Sequence, residues 1–90
     1  MIRPKKEKTN PRLNAQLLEV VENQIRDNDP PETKETLDRL MTEGHSREDA
    51  VLLIAQAVCV EVYSALKTKQ PFDPVRFVRN LKALPQEPQE

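Results

Sequence analysis

Between Ala50 and Val60 the chain carries a single polar residue, Gln56, within a segment that runs from Ser46 to Val62. A helix apolar on nearly every side is expected to be surrounded by other elements rather than to lie on a surface. Only two or three short amphipathic segments elsewhere in the 90 residues can do the surrounding. The segment therefore predicts an architecture, a bundle built around one apolar post, and says little about chemistry. The apolar run 50–60 is too short to span a bilayer. No apolar stretch of signal type follows the basic amino terminus. The expectation is a cytoplasmic chain without a membrane partner.

One glycine and eight prolines disfavour a sheet protein rich in tight turns and suit helices punctuated by prolines. A chain this short makes one small domain that buries only about 60% of the surface its unfolded form exposes, so a partner can contribute materially to its stability. The lone cysteine, Cys59, excludes an internal disulfide and suits a reducing compartment. The net charge of −1 conceals a sorting along the chain, with basic residues toward both ends and eleven acids between residues 19 and 61. Such sorting can orient a binding event, or it can be complementarity within the chain.

Helix punctuation is clear. Asn10 before Pro11 reads as a cap with proline at the first helical position, and Leu13, Leu17, Val20, Val21 and Ile25 recur every three or four residues, predicting a first helix over 11–27. Asp29, Pro30, Pro31 and Glu32 predict a second start, with Asp29 as cap and Glu32 reaching back as in a capping box. That helix should run over 31–43 and stop at Gly44. Ser46 caps the apolar helix, which should continue to Lys67 or Lys69. Asp73 caps a last helix opened by Pro74, with Phe72 and Phe77 at hydrophobic-staple spacing, and Val75, Val78, Leu81 and Leu84 carry its apolar face. The fold class expected is all-α, a single small four-helix bundle with a central apolar third helix, comprising a flexible basic arm over 1–9, a helical domain over 10–84 and a flexible tail over 85–90.

The residue inventory excludes several chemistries. Phosphate-cradling loops and dinucleotide fingerprints need several glycines, and a nucleophile elbow needs two, against Gly44 alone. His45, the only histidine, sits at the turn between helices two and three; Glu43, Glu48 or Asp49 can orient it as a base, but no nucleophile accompanies it, and a solvent-facing turn residue is the reading preferred. Cys59 among Val58, Val60 and Val62 reads as a small core residue. One histidine and one cysteine do not make a zinc site. Glu19 with Glu22, and Glu32 with Glu35, read as solvated faces. Gln56 reads as a buried amide or the edge of an interface. Neither a catalytic constellation nor a cofactor is expected.

Two basic groups can contact phosphates together: Arg3, Lys5, Lys6 and Lys8 of the arm, and Arg76, Arg79 and Lys82 on one side of the last helix. The few aromatics give no base-stacking platform, so such binding would be electrostatic and salt-sensitive. Helix two, the turn at Gly44 and helix three imitate a helix-turn-helix, but the second helix is too apolar to lie in a groove. Pro85 and Pro88 form a minimal Pro-x-x-Pro pattern in what is expected to be a mobile tail.

Three strings carry a resemblance: Asn10-Pro11-Arg12-Leu13 with Val21 to Gln24, Asp29-Pro30-Pro31-Glu32 with Thr36, Arg39, Leu40 and Gly44, and Arg47 with Ala50 and Ile54. Over residues 10–84 the chain resembles a family of small bacterial all-helical proteins of unknown function, some loosely labelled as related to the RecG-type DNA helicase. The resemblance implies a fold more than an activity. Relatives of this pattern often have histidines where this chain has Asn14, Leu18, Glu48 and Leu52, a spacing that suits metal binding on facing helices. All four are absent, and the helicase label finds no nucleotide loop. Residues 41–50 also resemble the loop of ubiquitin-associated domains, over ten residues only.

The third helix carries more apolar surface than the segments available to cover it, so the function expected is that of a non-catalytic interaction protein with an unknown protein partner or a second copy. The alternatives are an accessory nucleic-acid-binding protein in DNA processing and a degenerate metal protein.

Overall fold

Short polar residues and prolines start the helices, and left-handed residues stop the first three, because each helix leaves amides at one end and carbonyls at the other without partners. The computed structural model of the protein describes residues 11–90, with side chains from residue 15. It contains α1 (Pro11–Asp27), α2 (Pro31–Thr42), α3 (Arg47–Thr68) and α4 (Pro74–Ala83). The all-α four-helix class is as expected, and the ends of all four helices fall within a residue or two of expectation. Asn10 and the basic arm lie outside the described residues.

Asn28 takes a φ of 53° and ends α1, its amide donating to the Ile25 carbonyl while that of Asp29 donates to Gln24. Asparagine tolerates this left-handed conformation better than most residues. The expected Asp29 cap and capping box are corrected here. Asp29 is occupied in closing α1, Pro30 takes the N-cap of α2, and no side chain caps that helix. Gly44, at φ 108°, ends the turn after α2 as predicted. Lys69, at φ 61°, closes α3 with its amide on the Ala65 carbonyl.

Ser46 accepts from the Asp49 amide at 3.0 Å. Removing this oxygen by Ser46→Ala is expected to cost about 1 kcal/mol, read as a lower urea midpoint at unchanged slope. At α4, Asp73 accepts from the amides of Val75 and Arg76, both at 3.1 Å. The staple closes with the Phe72 and Phe77 rings 5.2 Å apart.

The third helix is central in that α1, α2 and α4 all pack on it. Its 22 residues make a rod of about 33 Å, which matches the 34 Å long dimension of the molecule. The core joins Leu17 and Val21 of α1, Leu37 and Leu40 of α2, Ile54 and Val58 of α3, and Phe77 and Leu81 of α4.

The expectation that α3 is surrounded on all sides does not hold. Helices of 17, 12 and 10 residues cover one side of a 22-residue rod, not its circumference. The side they cover is lined by small residues, Ala50, Ala55 and Ala57, which let the neighbours approach closely. Larger side chains face away: Leu52 is 38% exposed, Tyr63 61% and Leu66 71%. By length and composition α3 also suffices to cross a bilayer, which the shorter run 50–60 does not. In this fold its covered side carries the ionisable Glu61, packed within the bundle.

The carboxyl end departs from the expected free tail. Asn80 is buried and uses both ends of its amide on the backbone of Gln89, donating to its carbonyl at 2.8 Å and accepting from its amide at 3.0 Å. Pro88 is buried and Lys67 reaches Glu90 at 3.2 Å. A buried asparagine needs polar partners, and the returning backbone supplies them.

Candidate functional site

Three surface features are candidates: a cleft between α3 and α4, a groove between α1 and α3, and the solvent face of α3. Each is built from residues the helix register places there.

The cleft, about 490 Å³, lies over the α3–α4 connection and is lined by Ser64, Thr68, Phe72, Asp73 and Arg76 among others. Beneath it Glu61 is fully buried. It falls on the covered side of α3 because it stands seven residues after Ile54 and three after Val58. Arg76 donates from Nε to Glu61 Oε2 at 2.7 Å and from Nη2 to Oε1 at 2.9 Å, and the Asp73 amide adds a third bond at 3.0 Å. The Arg76 hydrogen bonds hold the Glu61 carboxyl below the ordinary carboxylate range against the opposing pull of burial. This carboxylate ties α3 to the first turn of α4. Three polar groups of the cleft are thus engaged in structure: Asp73 caps α4, Arg76 serves Glu61, and the Thr68 hydroxyl donates to the Ser64 carbonyl.

The groove, about 410 Å³, is lined by Leu18, Glu22, Arg47, Glu48, Val51 and Leu52. Arg47 forks onto Glu22 with bonds of 2.8 and 3.0 Å. This corrects the reading of Glu22 as a purely solvated acid. The pair holds the Glu22 carboxyl low and is half exposed, so it contributes little to stability. Leu18, Glu48 and Leu52, three of the four positions weighed above for a relative's metal site, lie together in this groove. The fourth, Asn14, has its side chain outside the described residues. Among the described residues no group of three histidine, cysteine, aspartate or glutamate side chains could hold a metal.

The predicted phosphate-contact set is divided by the fold. Arg3, Lys5, Lys6 and Lys8 lie outside the described residues. Arg76 is withdrawn from it, because its guanidinium is spent on Glu61 and its side chain is 20% exposed. Arg79 and Lys82 remain exposed. His45 is half-buried and contributes its backbone amide to the turn, donating to the Leu40 carbonyl at 3.0 Å. Gln56, read as a buried amide or an interface edge, is exposed, and Cys59 is half-buried rather than enclosed.

Gln56 and Cys59 belong to the third feature. Leu52, Gln56, Cys59, Tyr63 and Leu66 recur at steps of four, three, four and three, so they form one stripe along α3. Leu53 and Val60 flank it, half-buried. The sequence predicts excess apolar surface on α3 but does not place it on this stripe, and Glu61 was passed over. The stripe was legible as spacing within the apolar run, and Glu61 as an acid in register with Ile54 and Val58; a helix apolar on nearly every side does not itself show which side its neighbours leave bare.

Comparison of the chain with protein-family models, with curated proteins and with solved structures gave no match. The functional reading accordingly rests on the chain's own geometry.

Proposed function

We propose that this protein is a non-catalytic interaction module that docks another protein on the solvent face of α3. The observation that carries the reading is the outward stripe of Leu52, Tyr63 and Leu66, with half-buried Cys59 between them, on a helix whose opposite side is already packed. Scattered exposed leucines need no explanation, but contiguous apolar residues along one helix face are what docking surfaces present. Helix-on-helix recognition reads anchors at this spacing. Nucleic-acid binding by the last helix is the weaker reading, since Arg76 is committed to Glu61 and leaves Arg79 and Lys82 as a sparse pair. An accessory role beside a DNA-processing enzyme remains compatible with docking, and would then run through protein contact.

A photo-reactive phenylalanine analogue at position 56 in the full chain tests the reading. Position 56 is exposed at the middle of the stripe, and Lys34 on α2 is an exposed control. A covalent adduct to protein from position 56 and none from position 34 is the expected result in the cell that makes the chain. No adduct from position 56 would sink it.

A further inference from the structure

We infer that the occupant of the α3 stripe is a second copy of this chain, docked through its own α3 in antiparallel orientation about a twofold axis near Gln56 and Cys59. This rests on the interaction reading above and names its partner. The argument is charge complementarity along the stripe. Glu48 and Asp49, both exposed, close its amino end, and Lys67 and Lys69, both exposed, close its carboxyl end. Under a twofold axis across the middle of the helix, each acidic end meets the basic end of the other copy, and the same patch serves on both sides. A parallel arrangement would instead place acid on acid and base on base.

The register agrees. Leu52 and Leu66 stand seven residues either side of Cys59, so inverting the helix about that point superposes one leucine on the other. The mean step of 3.5 residues keeps the stripe facing a partner helix along about 21 Å. Gln56, the polar member, stands one turn from that axis, and a single polar residue on such a seam disfavours other registers, as in coiled coils. Lys67 already touches Glu90 at 3.2 Å and lies 5.7 Å from the Tyr63 ring centroid. Both are surface contacts and exchange readily. An anionic lipid surface fits worse, because the acidic pair at one end would be repelled by it.

Sedimentation of the full chain over a wide concentration range decides the matter. A reversible monomer–dimer equilibrium is expected, weakened about tenfold or more by Leu52→Glu or Leu66→Glu, with helicity by circular dichroism unchanged because both sites are exposed. Orientation is read from charge reversal. Glu48→Lys with Asp49→Lys should dissociate the dimer, and adding Lys67→Glu with Lys69→Glu should restore it. A parallel pair would respond to neither step. A chain that stays monomeric, or a dimer indifferent to these changes, overturns the inference. Monomer together with a position-56 adduct to a different protein overturns self-docking alone, and monomer with no adduct removes the interaction reading as well.

Discussion

Arg76→Met is expected to destabilise the protein by about 3–5 kcal/mol, because it leaves the Glu61 carboxylate buried without its counter-charge. Glu61 is fully buried and receives two of its three hydrogen bonds from Arg76. A domain of this size loses about 4–8 °C of Tm per kcal/mol, so thermal denaturation reads the effect directly. The pH dependence should change sign with it. In the parent chain the Glu61 pKa lies below its ordinary 4.5, so its contribution is present above that value and is lost as pH falls through the folded pKa. In the variant, burial without Arg76 raises the folded pKa above the unfolded one. Stability from that group is then greatest below the unfolded value and is lost as pH rises through the folded one. The gap between parent and variant should therefore narrow on acidification. Adding Glu61→Gln to Arg76→Met should recover part of the loss at neutral pH by removing the orphaned charge. A gap below about 1 kcal/mol at neutral pH, independent of pH, would show that Glu61 is solvated and the clamp incidental.

Phe77→Ala should be comparably severe, about 3–5 kcal/mol, by leaving a ring-sized void in the core. Phe77 is 1% exposed and packs with Leu81 and Leu84, which join α4 to the rest of the core. The short α4, 10 residues, has little else to hold it beyond the Glu61 clamp and the Arg39 side chain, which donates to the Leu81 carbonyl at 3.0 Å. Loss of the ring should thus release α4 before the remaining helices. Amide exchange should rise first over residues 74–83, and global unfolding should follow at lower denaturant. Phe72 provides the contrast. It is 42% exposed and touches Phe77 from outside, so Phe72→Ala should cost about 0.5–1.5 kcal/mol. Equal losses from the two substitutions would mean that the staple, rather than core burial, anchors α4.

Both predictions concern residues that a docking partner does not touch, and this separates stability from binding. Leu66 is 71% exposed, so a charge introduced there should leave unfolding of the monomer almost unchanged while weakening association. The same helix thus carries a packed side that determines whether the chain folds and a bare side proposed to determine what it meets.

The helix starts and stops at Pro11, Pro31, Gly44, Ser46, Asp73 and Pro74 were legible because capping is local: a side chain and the amides it serves lie within four residues. The same holds for the staple between Phe72 and Phe77, and for the apolar character of α3. Asp29 failed as a cap because α1 and α2 compete for the same short linker, a contest that residue types do not decide. Arg76 looked like part of a basic surface because its partner lies 15 residues away across a loop. The tail looked free because Asn80, which binds it, is an ordinary polar residue until the fold buries it.

By itself the sequence determined a four-helix, all-α chain around an apolar third helix, since periodicity and capping act within a turn or two. Only the tertiary structure decided which side of α3 is covered. That depends on how far three shorter helices reach around a longer one and on small alanines drawing them in. The balance leaves Glu61 buried against Arg76 and the leucines at 52 and 66 facing out.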